Sequence, residues 1–293
     1  MFCLIACISC TDERKILPPS TGLNSEVIFV VDDVLWENQI DSFVKQIFGA
    51  SILGINQPES SFSIIQVNRS EFKSILKTHT NVIIISQGVK KYIANNKWAN
   101  DQFVAQLNWD GDSHQLTLEL IEIRNVINLK EVTSIKKSIK KSSQKKIETL
   151  LLNSFYVSCI IPSKYQIIKN ERTLFWANYD PSNSDEIQNI LIFSFVPKTE
   201  NLQSEVLFKA DSVFAKYLLG SKQESFVKIE PEYSPYFFQN TYRGLWRLEN
   251  GFMGGPFLIK TYFVKNKIIV CAGLVFAPQS QKRMYIKEFE AIL

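Results

Sequence analysis

The sequence predicts an α+β protein of two layered halves, each a mainly antiparallel or mixed β-sheet covered by helices. Three observations support this fold class. The chain has 293 residues, of which 45% are hydrophobic, and this is enough for one large or two ordinary domains. Strand-like runs occur in groups with helical periodicity between them. A lysine-rich helical stretch in the middle of the chain is followed by a strand-rich second half.

The first ten residues are apolar or small and end at Cys10, where a polar run begins. A helix of this length would span roughly 15 Å of a hydrocarbon layer about 30 Å thick, so it does not cross a bilayer. The pattern is typical of the second half of a bacterial lipoprotein signal, in which a small residue precedes the lipidated cysteine. We therefore expect a partial signal over residues 1–10 and lipidation of Cys10, with Cys7 as the alternative. A translation start upstream of Met1 would explain the short signal, and an apolar N-terminus packed on the core is the other interpretation.

Residues 11–25 contain adjacent prolines and predict a tether. The resemblance to a lipoprotein signal implies several acyl chains on the modified cysteine. These chains would anchor the protein almost permanently at the cell envelope, in the outer membrane, facing either the periplasm or the cell surface. Cys159 and Cys271 are then the cysteines of the folded part, and both lie in strand-like runs. The envelope is oxidising enough for a disulfide, but the sequence leaves open whether the two cysteines pair.

Residues 26–130 are predicted to form an N-terminal α/β domain. Its first strand, Val27–Val31, ends at Asp32-Asp33, which would cap an amphipathic helix that runs to Phe48. The turn at 110–113 would cap a second helix, over 116–127. The remaining predicted elements of this domain are a strand at Phe62–Val67, a short helix at Glu71–Leu76, and strands at Val82–Ser86 and Gln102–Trp109.

Residues 131–154 are predicted to form a linking basic helix with one apolar stripe. Its lysines are Lys136, Lys137, Lys140, Lys141, Lys145 and Lys146. They fit a solvated face, or contact with anionic lipid headgroups at about 1 kcal/mol per contacting residue. Residues 155–293 are predicted to form a strand-rich α+β domain. Its predicted strands are Tyr156–Ile161, Leu174–Tyr179, Ile187–Val196, Tyr242–Glu249, Phe257–Val264 and Ile268–Phe276, with helices at Ser204–Leu219 and Gln279–Leu293.

Several short motifs, most of them with turn glycines, prolines or aromatic residues, are distributed along the chain. They are Arg243-Gly244-Leu245-Trp246, Phe252-Met253-Gly254-Gly255-Pro256-Phe257, Phe276-Ala277-Pro278, Lys282-Arg283 and the terminal Glu290 to Leu293, with upstream landmarks at Leu17-Pro18, Val30 to Asp32, Leu35-Trp36, Ile161-Pro162 and Tyr165. In these motifs the chain resembles a Bacteroidota envelope lipoprotein family of unknown function, domain of unknown function 4837. The resemblance implies envelope attachment and a two-part organisation, and it brings no catalytic residues.

Composition and motifs exclude several classes of chemistry. Thirty-three basic and 29 acidic residues give a net charge of +4, too balanced for a dedicated nucleic-acid binder. The two histidines, His79 and His114, have no ligand partner at zinc spacing, so we expect no metal. Gly49 and Gly54 have the spacing of a phosphate-binding loop, but the lysine that the motif requires is absent. The sequence therefore predicts no catalytic residue, no metal and no cofactor.

Aromatic side chains are dense between residues 233 and 263 and would form either a β-core or a ligand surface. The candidate ligand surface comprises Arg243, Trp246, Arg247 and Phe252. We expect a lipid-anchored envelope protein with a binding or structural role, whose partner is an envelope protein or a polysaccharide. One alternative is an envelope glycan hydrolase with paired carboxylates among Glu230, Glu232 and Glu249. The other is a carrier of a small apolar ligand, which needs a cavity of several hundred Å³.

Overall fold

The computed structural model describes residues 16–55 and 57–293. The described residues divide into two compact units, one formed by residues 16–45 and 63–123 and the other by residues 46–55, 57–62 and 124–293. Each unit has its own β-sheet, so the predicted α+β fold of two sheet halves is confirmed. The predicted lipidation positions, Cys10 and Cys7, lie outside the described residues.

The first unit contains a mixed five-stranded sheet within the described part of the chain. The strand order is β2-β1-β3-β5-β4, and every neighbouring pair is parallel except β4–β5. The strands are β1 (Glu26–Val30), β2 (Ser63–Val67), β3 (Asn81–Ser86), β4 (Tyr92–Asn95) and β5 (Phe103–Asn108). All six residues of β3 are buried, as its uninterrupted apolar run indicates for a central parallel strand.

Helical structure in this unit begins where the sequence predicts it. The Asp32 carboxylate accepts the Val34 N–H at 3.1 Å and caps the first turn. The predicted single helix is a continuous helical segment with a π-helical turn inside it: α1 (Asp33–Leu35), the π turn (Trp36–Ile40) and α2 (Asp41–Ile47). A 3-10 helix spans Ser74–Thr78, and α3 spans Ser113–Lys141. Helix α3 begins in the first unit and ends in the second.

The second unit contains an antiparallel sheet that has eight strands among the described residues. The path is β10-β11-β12-β13-β8-β7-β6, and β9 pairs with β11. The strands are β6 (Gln166–Asn170), β7 (Leu174–Tyr179), β8 (Ile187–Phe195), β9 (Val227–Ile229), β10 (Tyr236–Phe238), β11 (Thr241–Leu248), β12 (Gly254–Val264) and β13 (Lys267–Phe276). The helices are α4 (Lys145–Phe155), α5 (Leu202–Tyr217) and α6 (Arg283–Ile292).

Two predictions for this unit are wrong. The predicted helix over 131–154 is interrupted between α3 and α4, where the Gln144 N–H donates to Ile161 O at 3.1 Å. The predicted strand Tyr156–Ile161 is an extended segment with no strand ladder. Its alternate side chains are buried in the core, but the Ile160 N–H donates to Ile292 O of α6 at 3.0 Å. In this segment, the alternation of apolar residues indicates which side chains are buried but does not indicate pairing with another strand.

Successive residues of the central strands pack on opposite faces of the second sheet. Leu258 and Cys271 pack in the cluster that includes Phe289 of α6, whereas Phe257 and Val270 pack in the cluster that includes Phe214 of α5. This follows from the two-residue period of a strand. The sheet therefore carries α4 and α6 on one face and α5 on the other.

Candidate functional site

A cavity of about 790 Å³ lies within the second unit. Its walls come from four parts of the chain: residues 50–53 and 61–62, the part of α3 from Arg124 to Val132, strands β10 to β12, and α6. The volume falls within the range of roughly 300–1,000 Å³ that is usual for small-molecule sites. This cavity is the candidate functional site.

Helix α6 supplies one wall because of its sequence spacing. Arg283, Ile286, Lys287 and Glu290 recur at helical intervals and line the cavity together. The start of the helix is held by Glu59, whose carboxylate accepts the backbone N–H of Lys282 at 2.7 Å and that of Arg283 at 3.0 Å. A carboxylate at this position satisfies N–H groups that a helix leaves open and complements its dipole.

Residues 50–53 and 61–62 form a second wall and run antiparallel to each other. Ser51 and Ser60 form an antiparallel bridge, and the Ile52 N–H donates to Glu59 O at 2.9 Å. Gly54 has a φ of +83°, and a Cβ at this position would lie 2.6 Å from the backbone carbonyl carbon of Arg243. Glycine is therefore needed both for the left-handed backbone and for close approach to β11. The glycine that suggested a phosphate-binding loop has this structural role.

The cavity lining is strongly cationic. Among the described lining residues, the charged side chains are Arg124, Arg243, Lys260, Arg283 and Lys287, and the carboxylate of Glu290. Arg243 forms an ion pair with that carboxylate. The Lys260 ammonium donates to the backbone carbonyl of Glu290 at 2.7 Å. The lining thus carries an excess of positive charge, which attracts anions.

Two of these cationic residues, Lys260 and Lys287, are desolvated by burial. Burial lowers the pKa of Lys260, and the nearby Glu290 carboxylate opposes that shift. Burial also lowers the pKa of Lys287, against the opposing effect of Glu131, with which it forms a buried ion pair. Burial of a charge costs free energy that a nearby opposite charge offsets. An anion in the cavity would stabilise both ammonium groups in the same way.

Arg243 retains hydrogen-bonding capacity beyond its ion pair. Its Nε is buried and has no hydrogen-bond partner among the described residues, although its Nη2 is bonded to Glu290. A buried donor without a partner costs about 1–3 kcal/mol. The Arg243 guanidinium therefore keeps a donor that the ion pair with Glu290 does not use.

Part of the cavity lining is apolar and open to solvent, beside exposed polar residues such as Asn125 and Gln239. Four large apolar lining residues are exposed to 40% or more of their area: Leu53, Leu129, Tyr236 and Phe238. Tyr236 and Phe238 lie on the short edge strand β10, in register with Arg243 and Thr241 of β11. Exposed apolar side chains around a cationic wall give the cavity two chemically different parts.

The residues of the predicted ligand surface are distributed over different environments. Arg243 lines the cavity, whereas Trp246 is buried in the core on the α5 side and donates from Nε1 to Val275 O at 3.3 Å. Arg243 and Trp246 are separated by an odd number of strand positions and therefore point to opposite faces. Phe252 is 89% exposed in the turn between β11 and β12, and Arg247 does not line the cavity.

Two of the three carboxylates considered for glycan hydrolysis form ion pairs with Arg247. Glu249 Oε2 lies 3.1 Å from Arg247 Nη2, and Glu230 Oε2 lies 3.8 Å from Arg247 Nε. Glu232 is exposed, and none of the three lines the cavity. The cation bridges the two carboxylates, so this cluster is arranged as an ion-pair network.

Cys159 and Cys271 are both free thiols in the core, with their Sγ atoms 3.8 Å apart. Burial raises the pKa of Cys271, and the hydrogen bond with Cys159 adds to that shift. The six lysines between Lys136 and Lys146 are all exposed, four at the end of α3 and two at the start of α4. Across residues 16–55 and 57–293, no helix has the length and apolarity needed to span a membrane, and no cluster of three metal-binding side chains is present.

Most of the cavity residues were not predicted from the sequence. Arg243 was predicted as a ligand residue, Arg283 appeared only in a family motif, and Arg124, Lys260 and Lys287 were not predicted. One signal was available: cations recur four residues apart at Arg283 and Lys287 within an amphipathic helix whose other side is core. The remaining cations come from separate segments, so no local spacing connects them.

Comparison with known families assigns both parts of the chain to domains of unknown function. Residues 20–141 match a family described as a domain of unknown function (DUF8532). No curated protein matches the chain. Residues 143–293 match the family described as a domain of unknown function (DUF4837), and this match covers more than half of the sequence. The chain therefore belongs to the DUF4837 family.

Proposed function

We propose that this protein is a lipid-anchored binding protein of the Bacteroidota cell envelope, held in the outer membrane through Cys10, and that it binds an anionic ligand in the cavity of its second unit. The anchor is supported by the N-terminal sequence pattern. The binding role is supported above all by one observation: five cationic side chains line a single cavity with one carboxylate. Such an excess of charge favours an anion.

The hydrolase alternative has less support than binding. A glycosidase needs two carboxyl groups about 5–5.5 Å or 6.5–9.5 Å apart on either side of its substrate. Glu230 and Glu249 both contact Arg247 instead, and the cavity offers Glu290 with its carboxylate paired to Arg243. A carrier of a purely apolar ligand has less support too, because the cavity wall is cationic.

The binding role is tested by native mass spectrometry of the protein released from the membranes of its own cells. We expect a discrete small-molecule adduct that is released as an anion. The variant Arg243→Gln with Lys260→Gln should lose the adduct, whereas Arg247→Gln, on the same strand but outside the cavity, should keep it. Absence of an adduct, or an adduct indifferent to the cavity variant, contradicts the proposed function.

The anchor is tested by metabolic labelling with a palmitate analogue. We expect label on the wild-type protein and no label on Cys10→Ala. Loss of label in Cys7→Ala, with label retained in Cys10→Ala, would move the lipidation site. An unlabelled wild-type protein recovered only from the cytosol contradicts envelope anchoring.

A further inference from the structure

We infer that the ligand of the cavity is a single-chain amphiphilic anion, with its charged head against the cationic wall and its alkyl chain along the exposed apolar side chains. This inference rests on the proposed function and specifies the ligand class. It follows from the way in which charged and apolar side chains are distributed around the same cavity.

The head-group part of the cavity is defined by Arg243, Lys260 and α6. Arg243 and Lys260 lie on neighbouring strands, and the ammonium of Lys260 and the guanidinium of Arg243 both contact Glu290. The two cations are therefore close together on one wall. A phosphate or carboxylate head accepts hydrogen bonds from guanidinium and ammonium donors, and charge-assisted bonds of this kind are the strong ones.

The part of the cavity that would hold the alkyl chain is lined by solvent-exposed apolar side chains. Leu129 is 68% exposed and Phe238 is 57% exposed, although both line the cavity. Leu53 and Tyr236 add two further exposed surfaces. A small inorganic anion would leave this apolar area in water, whereas an alkyl chain would bury it at a gain of about fourfold in affinity per buried methylene.

An acidic glycan is the competing ligand class. Sugar hydroxyls need several polar partners, and aromatic rings would stack on their apolar faces. Exposed polar lining residues such as Asn125 and Gln239 could meet sugar hydroxyls, and the rings of Tyr236 and Phe238 are exposed as well. Leu53 and Leu129, however, are aliphatic and each more than half exposed, and an alkyl chain covers such side chains better than a sugar does. The observations therefore favour an alkyl chain.

Three probes separate the contributions of head and chain. Dodecyl phosphate carries both, dodecyl maltoside carries the same chain on a neutral head, and inorganic phosphate carries the head alone. Isothermal titration of the wild-type protein with each probe, below its micellar concentration, should give the tightest binding for dodecyl phosphate. We expect affinity at least about tenfold weaker for dodecyl maltoside and weaker still for phosphate. Octyl phosphate should fall between phosphate and dodecyl phosphate.

Variants locate the binding and control for loss of fold. Arg124→Gln should weaken dodecyl phosphate binding by about tenfold. The variant should cost little stability, because the hydrogen bonds of Arg124 to Ile47 O, at 3.5 Å, and to Asn125, at 3.3 Å, are long. Phe238→Asn should weaken dodecyl phosphate but leave phosphate unchanged. Arg247→Gln and Phe252→Asn are the matched controls outside the cavity, and both should bind as the wild type does.

The outcomes distinguish this inference from the proposed function. Equal affinity for phosphate and dodecyl phosphate, or binding of oligogalacturonate in preference to dodecyl phosphate, overturns the amphiphile but leaves an anion-binding cavity. Dodecyl phosphate binding that Arg124→Gln and Phe238→Asn do not change also overturns the inference. The proposed binding role itself fails if the native adduct is absent or insensitive to the cavity variant.

Discussion

Replacing Lys287 by methionine should destabilise the second unit strongly, because it removes one partner of a buried ion pair. The side chains of Lys287 and Glu131 are each only 7% exposed, and the Lys287 ammonium also lies 4.5 Å from the Phe62 ring centroid. Methionine keeps most of the apolar stem and removes the charge. The Glu131 carboxylate would then remain buried without that ammonium.

The expected loss is about 3–5 kcal/mol in the free energy of unfolding, which is the usual cost of breaking a buried pair from one side. Replacing both partners, Lys287→Met with Glu131→Leu, should restore most of it, because a well-packed apolar pair is often as stable as a buried ion pair. A more exposed pair provides the comparison. Lys164 lies 2.7 Å from Glu288 with 33% of its side chain exposed, and Lys164→Met should cost about 1 kcal/mol or less.

Urea unfolding measures these differences as a shift in the midpoint. With a slope of about 3 kcal/mol/M, the single variant should lower the midpoint by more than about 1 M. Hydrogen exchange in α3 and α6, read by mass spectrometry, assigns the loss to the second unit. A cost below about 1 kcal/mol for Lys287→Met, or a double variant less stable than the single one, would refute the assignment of a strongly desolvated pair.

Three further predictions follow from local geometry. Gly54→Ala should lower the free energy of unfolding, measured in urea, by more than about 1 kcal/mol. The φ of Gly54 is +83°, and the new Cβ would meet the backbone of Arg243. An unchanged free energy of unfolding would contradict this close approach. Backbone N–H groups that bond to Glu205 lower the pKa of its carboxyl in the folded protein. The carboxyl therefore stabilises the fold fully at pH values above its pKa in the unfolded chain, and this contribution is lost as the pH falls through the lowered pKa of the folded state. Glu205→Gln should therefore flatten the acid limb of the stability profile, and an unchanged limb would contradict this. Both thiols are buried, and burial also raises the pKa of Cys271. Peptide-resolved alkylation at pH 8–9 should therefore modify Cys159 and Cys271 only after unfolding, and rapid labelling of the native protein would contradict this.

Local sequence patterns were sufficient for much of the secondary structure. The apolar runs of β1, β3 and β13, the cap at Asp32 and the start of α3 after the turn at 110–113 are where the sequence predicts them. Each depends on neighbouring residues, through burial periodicity or through a side chain that bonds its own backbone. The short strands β4, β9 and β10 were missed, because a strand of three or four residues has too little periodicity to identify.

The cavity required information that no single segment contains. Arg243 was selected from the sequence, but for a surface with Trp246, Arg247 and Phe252 that the strand alternation divides. Arg124, Lys260 and Lys287 lie far apart in the sequence and meet only because α3, β12 and α6 pack around one cavity.

The sequence by itself determined that this chain forms two sheet-containing units and where most of their buried strands and helix ends lie, because those features depend on local composition and spacing. The tertiary structure alone decided which charges share a cavity, that the segment 156–161 pairs with a helix end, and that Glu230 and Glu249 bind Arg247. These are contacts between segments distant in sequence, and their free energy depends on packing, which no local pattern encodes.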